Sequence, residues 1–271
     1  MRYSPSLPED NNNITHTNPL KEFFILLAGA AILLLAVYAV LGFLVDGVVD
    51  RLSPEKELKL FSYIPTATFG VDAEKNDDPR LARLQQLTDS LGQCAGVDIP
   101  IRLHISPDRT ANAVALPGGH IVFFKGLLDK LTTENGLSFT LAHELAHFHN
   151  RDHLRGLGRG IVLMAIAAAF TGPDSGLVRL VAPTAQLGQA QYSQDRETLA
   201  DQSALATLNC YYGHVGGADE LFQIILRDQK EGLPLTHYFS THPQAENRIS
   251  ELKQSAKSNG WHEDHPVPLS F

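Results

Sequence analysis

The segment Phe139–Asp152, FTLAHELAHFHNRD, places His143, Glu144 and His147 inside a helix-forming run. Residues four apart on an α-helix share a face, so the two histidines point the same way and can share one tetrahedral metal. Glu144 adjoins the first histidine and can reach a water at that metal without being a ligand. This H-E-x-x-H order is the zinc-hydrolase arrangement, with the glutamate as general base. A catalytic zinc keeps three protein ligands and one open position, so a third ligand must lie elsewhere. The candidate is Glu197 in YSQDRETLADQSAL, with Asp195 and His214 as alternatives. Asp201, four residues on, can accept the second ring N–H of a ligating histidine. Leu199, Ala200, Ala204 and Leu205 flank this pair, which argues against a merely solvated acidic face.

The elements that must position these residues follow from period and punctuation. A helical pattern runs from about Thr133 to Asp152 and carries the two histidines. A second helix is predicted from about Pro183 to Tyr211 and carries Glu197 and Asp201. Further helices are expected from Ser53-Pro54, with Ser as cap, and after Asp78-Pro79, where Leu81, Leu84, Leu87 and Leu91 line one face until Gly96. Others run from Ala218 to Glu231 and from Pro243 to about Ser258. Between them the period changes to two. Ile101, Leu103 and Ile105 alternate with Arg102 and His104, then Ala113, Ala115 and Ile121–Phe124 flank a turn at Pro117–Gly119. These read as short strands of a small sheet.

The chain has 271 residues and a formal net charge of −8. No basic stripe interrupts the acidic balance, which excludes nucleic acid as a main partner. Phe23–Val45 is uncharged and long enough to span the hydrocarbon core as one helix. It exceeds a signal-peptide h-region, follows about twenty polar residues, and lacks a small-x-small cleavage site, so it reads as an uncleaved anchor. The expected layout is a polar tail (1–21), a transmembrane helix (22–46), a metallopeptidase domain (47–260) and a C-terminal tail (261–271). Ile161–Phe170 is apolar but too short to span, and reads as a core helix in preference to a membrane-facing flap. Cys94 and Cys210 fit free thiols or one bridge, and most simply buried small residues.

AHELAHFHNRD, SQDRETLAD and STHPQAENRI, together with NAVALPGGHIVFFKGLL (Asn112–Leu128), resemble signatures of the membrane zinc-peptidase family of the heat-shock protease HtpX, the CAAX prenyl endopeptidase and the mitochondrial inner-membrane stress protease, gluzincins with an HExxH…ExxxD pattern. The resemblance runs from roughly Leu52 to Leu252. Ser193-Gln194 stands where the family has Ser-Arg, and Leu199 stands where it has Glu; neither departure removes a proposed ligand. One strong span, against the four of the HtpX type, means that topology does not carry over. The resemblance implies an α+β, mostly helical zincin-like domain with a small sheet, preceded by one transmembrane helix. It implies one Zn2+ per chain on His143, His147 and Glu197, with Glu144 as base. A donor for the developing oxyanion is also required. His242 is the candidate, with Arg248 and Tyr192 as further oxyanion or substrate candidates. Extended substrate would add to a strand edge at Asn112, Ala113, Val114 and Ala115. The implied partners are misfolded or membrane-associated polypeptides and the bilayer through residues 22–46. The implied location is single-pass in a bacterial inner membrane, with the peptidase domain periplasmic by family analogy. The expected role is protein quality control; the alternative is a catalytically weak membrane-tethered chaperone or scaffold, against which the intact Glu144 argues.

Overall fold

The computed structural model of the protein describes residues 18–62, 78–181, 193–231, 242 and 247–270. The chain forms two compact units, Met1–Leu41 and Gly42–Phe271. Helix α1 (Pro19–Arg51) begins in the first unit and ends in the second. At about 1.5 Å per residue its 33 residues exceed the ~30 Å hydrocarbon core. In the first unit most of its large side chains, Phe23, Phe24, Leu26, Leu33 and Leu35 among them, are exposed, the pattern expected of a helix that faces lipid. It is a candidate membrane span by length and composition.

Among the described residues the second unit is mostly helical with one three-stranded sheet. Helix α2 (Pro54–Phe61) starts as expected: Ser53 caps the Lys56 amide and Pro54 takes the first turn, where no N–H is needed. Helix α3 (Leu81–Ala95) buries Leu84, Leu87 and Leu91 and stops at Gly96 in the left-handed region. The sheet comprises β1 (Arg102–Ser106), β2 (Ala113–Leu116) and β3 (His120–Phe124) in the order β1-β3-β2. β3 lies parallel to β1 and antiparallel to β2. The Gln85 side chain fixes α3 to β1 by accepting from the Leu103 amide and donating to the Ile101 carbonyl. The short α4 (Lys125–Leu128) leads to α5 (Glu134–His149), capped by the Thr133 hydroxyl on Gly136 N–H.

Helix α5 is the centre of the unit. Every residue from Asn135 to Phe148 is buried, between α3, β2, α8 (Gln194–Tyr212) and α9 (Glu220–Lys230). Helices α6 (Asp152–Thr171), α7 (Gly176–Val181) and α10 (Arg248–Asn259) complete the unit. The starts expected near Pro183 and Pro243 fall on residues outside those described. The last segment is strapped to α5: Val267 O accepts from Glu134 N–H, Leu269 N–H donates to Thr132 O, and Thr133 and Pro268 form an antiparallel bridge.

Two expectations require correction. Ile161–Phe170 is not a core helix: Ile161 is 49% and Phe170 71% exposed. From Gly160 on, α6 buries only the small Gly160 and Ala167, its larger side chains being half-buried or exposed. Its first half packs instead on the end of α1, where Arg159 pairs with Asp46, Arg155 with Asp50, and Leu154 clusters with Val49 and Phe61. By length and composition α6 is, after α1, the second helix among the described residues that qualifies as a candidate span. Cys94 and Cys210 are not buried small residues either. They form a disulfide joining the last turns of α3 and α8, with Cα atoms 5.9 Å apart and Cys210 exposed.

Candidate metal centre

Helix α5 brings His143, Glu144 and His147 to its buried C-terminal half. Helix α8 packs alongside and turns Glu197 and Asp201 towards them, both buried. His242 adds a third imidazole from a separate stretch of chain. The distances suit one metal. His143 Nε2 lies 3.1 Å from His147 Nε2 and 3.4 Å from His242 Nδ1. Glu197 oxygens lie 3.5 Å from His143 Nε2, 3.4 Å from His147 Nε2 and 3.0 Å from His242 Nδ1. Ligands at about 2.0–2.1 Å from a tetrahedral zinc are separated by roughly 3.3 Å, so this donor set fits. Beside it, Glu144 Oε2 is buried with no hydrogen-bond partner among the described residues. A buried carboxylate oxygen left so is costly unless a further partner completes it.

A surrounding layer fixes the donors. His143 Nδ1 lies 3.0 Å from Asp201 Oδ1. Arg248 clamps both carboxylates: Nε and Nη2 donate to Asp201 at 2.7 and 2.6 Å, and Nη1 donates to Glu197 at 2.8 Å. Its guanidinium stacks 4.5 Å over Phe222, a cation–π contact that holds the fork in place. Arg248 is thus engaged with the carboxylates of α8. His147 has its own partner, Asp152 Oδ2, 3.0 Å from Nδ1. Asp152 follows the helix end because Arg151 adopts a left-handed conformation (φ 57°) that folds the chain back, and Arg196 pairs with its other oxygen.

Charge and burial compete throughout. Burial opposes protonation of His147, but hydrogen bonds to Asp152 and Glu197 outweigh it and raise the pKa to about 9. His143 moves in the same direction, with Asp201 and Glu197 overcoming burial. Burial would raise Glu197, yet His242, His143 and His147 hold it well below the usual carboxylate range. Asp201 is likewise lowered, by Arg248 and His143 against burial.

The structure therefore brings together His143, Glu144, His147, Glu197, Asp201, His242 and Arg248. It does not bring in the alternatives: Asp195 is exposed, and His214 accepts from Gly216 N–H away from the cluster. Tyr192 lies outside the described residues. β2 is the edge strand beside α5. Phe124 N–H donates to Asn112 O, so by antiparallel alternation Ala113 and Ala115 turn their backbone groups away from β3. Asn112 Oδ1 already accepts from Ala113 N–H, and Asn112, Ala113, Val114 and Ala115 are all buried. An open cavity of about 560 Å³, lined by Thr132, Thr133 and Glu220 among others, lies away from the cluster. Reading the sequence missed Asp152 and the buried pair Glu57–His153. The signal for Asp152 was its place five residues after His147, meaningful only once the turn at Arg151 is known.

A model of peptidase family M48 matches residues 80–256. The chain belongs to peptidase family M48. Among relatives, it is 28% identical over 194 residues to mitochondrial metalloendopeptidase OMA1 of Schizosaccharomyces pombe, a match covering 64% of this chain and 54% of that protein. A protease HtpX homolog of Thermococcus kodakarensis is 29% identical, covering 68% of this chain and 77% of the relative. Zebrafish OMA1 is 29% identical, over 65% of this chain and 41% of its own length. The chain spans about half the length, or less, of the first curated relatives it matches. The M48 match takes in α3, the sheet, α5 and α8, and so every residue of the cluster.

Proposed function

We propose that the protein is a membrane-anchored zinc endopeptidase that hydrolyses peptide bonds in misfolded or membrane-associated proteins, in membrane or envelope quality control. The observation that carries this reading is the convergence of His143, His147 and Glu197 on one point, beside a buried Glu144 oxygen with no partner among the described residues. One Zn2+ would be held by those three side chains. Such a zinc lowers the pKa of bound water toward about 7 and polarises a carbonyl. Glu144 takes the proton from the attacking water and passes it to the leaving amine. Asp201 and Asp152 keep the two histidine rings in the tautomer whose Nε2 lone pair faces the metal. His242 supplies a fourth donor at the same point, whereas a catalytic zinc keeps one position open. In this reading the place of His242 is the one that water and the scissile carbonyl must take. Extended substrate would add to the Ala113 carbonyl and to Ala115 through main-chain hydrogen bonds, a mode that reads little side-chain sequence. The Cys94–Cys210 bridge supports a peptidase domain on the oxidising side of its membrane, since such bonds persist there and are reduced in the cytosol.

The test is elemental analysis of the purified full chain together with casein cleavage before and after chelation. About one zinc per chain is expected, with cleavage lost on chelation and restored by stoichiometric zinc. Cleavage indifferent to the chelator would overturn the proposal.

A further inference from the structure

Helix α2, the first element after the anchor helix, buries a carboxylate. Glu57 is only 2% exposed, in a helix whose other charged residues, Glu55, Lys56 and Lys59, face solvent. Its Oε1 reaches two separate parts of the domain. His153 Nε2 lies 2.9 Å away, and the Gly118 amide donates to the same oxygen at 3.4 Å. His153, also buried, turns its Nδ1 to the carbonyl of His147 at 3.3 Å. Glu57 thus joins the end of the H-E-x-x-H helix to the β2–β3 turn. The rest of α2 presses on that turn. A Cβ at Gly118 (φ +85°) would lie 2.8 Å from Phe61 Cβ, and one at Gly119 (φ +80°) 3.3 Å from Leu58. Only glycine permits both the backbone conformation and the contact.

The geometry points to Glu57 as a positioning residue that sets the spacing between edge strand β2 and helix α5, so that the juxtamembrane helix is part of the active-site frame. This rests on the peptidase reading, because the spacing it sets is the one an added substrate strand would occupy. The neighbouring pairs Asp46–Arg159 and Asp50–Arg155 fasten the same region from more exposed positions. Glu57 touches neither the metal donors' side chains nor Glu144, so its effect is on substrate fit rather than on the chemical step.

The experiment uses the full chain in detergent with zinc bound, a quenched fluorogenic peptide, and the variants Glu57→Ala, Glu57→Gln, His153→Ala and the double Glu57→Ala/His153→Ala. Zinc occupancy and melting temperature are recorded for each. The expected result is a KM about tenfold higher for Glu57→Ala with kcat changed less than threefold, and smaller effects for Glu57→Gln, which keeps an oxygen acceptor. The double variant should be no worse than the worse single one, because both break one linkage. Asp50→Ala, which removes an ion pair with Arg155 that touches neither β2 nor the β2–β3 turn, should leave both constants unchanged. An unchanged KM in Glu57→Ala, additive effects, or an equal KM rise in Asp50→Ala would overturn the assignment. If Glu57→Ala does not fold, the milder Glu57→Gln decides, an unchanged KM there counting against the assignment. Failure of the parent to cleave the peptide at all would instead refute the peptidase reading.

Discussion

Asp152→Asn tests how the second histidine is tuned. In the metal-free site His147 has a pKa of about 9, so near pH 7 it carries a proton that zinc must displace. The displacement lowers apparent affinity by about 10², or ~2.7 kcal/mol at 1.36 kcal/mol per unit, and vanishes above pH 9. The Asp152 hydrogen bond is the largest influence raising that pKa against burial. Replacing Asp152 by Asn has two opposed effects. It replaces the charged acceptor that orients the ring by a neutral amide, a looser hold of the kind that typically weakens a metal roughly 10–100-fold. It also lowers the His147 pKa, relieving proton competition at neutral pH. The variant should therefore bind zinc about 10–100-fold more weakly than the parent at pH 9.5, with the gap narrowing toward pH 7. The assay is competition with a chelating dye in zinc-buffered solution from pH 6.5 to 9.5. A parental affinity that does not rise with pH, or a gap that widens toward neutrality, would refute the reasoning.

Other outcomes follow from the same coordinates. Glu197→Ala should lose zinc and cleavage together, while Asp201→Ala should weaken zinc roughly 10–100-fold, which elemental analysis after dialysis distinguishes. A chain lacking residues 1–50 should keep zinc and casein cleavage. One beginning at Gly42 should melt higher, because Val49 packs with Phe61 and Leu154, and burial of a valine contributes about 1.5–3 kcal/mol; equal melts would contradict this. Burial, aided by His104 and Arg102, lowers the His120 pKa to about 4, below its unfolded value. That contribution is complete above about pH 6.5 and is lost as pH falls toward 4, up to ~3 kcal/mol. His120→Gln should therefore lose less stability than the parent between pH 7 and 4.5, measured by urea unfolding.

Much of this was legible in the sequence, because local rules governed it. Ser53-Pro54 and Gly96 marked helix ends by backbone chemistry alone, and the spacing of His143, His147, Glu197 and Asp201 set each pair on one helix face. What escaped depended on the fold. Ile161–Phe170 has the composition of a core helix, but only tertiary packing decides which face is covered, and here small residues went inward. Cys94 and Cys210 are separated by 116 residues, and only the packing of α3 on α8 brings them within bonding distance. Asp152 and Glu57 carry no motif. Their roles exist because a left-handed Arg151 reverses the chain and because α2 docks on the β2–β3 turn.

The most direct test of the central claim is Glu144→Gln in the zinc-loaded full chain. Glutamine keeps the size of the side chain and cannot accept the water's proton. The account predicts zinc occupancy equal to the parent and casein cleavage reduced by at least about 10²–10⁴-fold, the typical contribution of a positioned general base. Cleavage at the parental rate with zinc in place would contradict it.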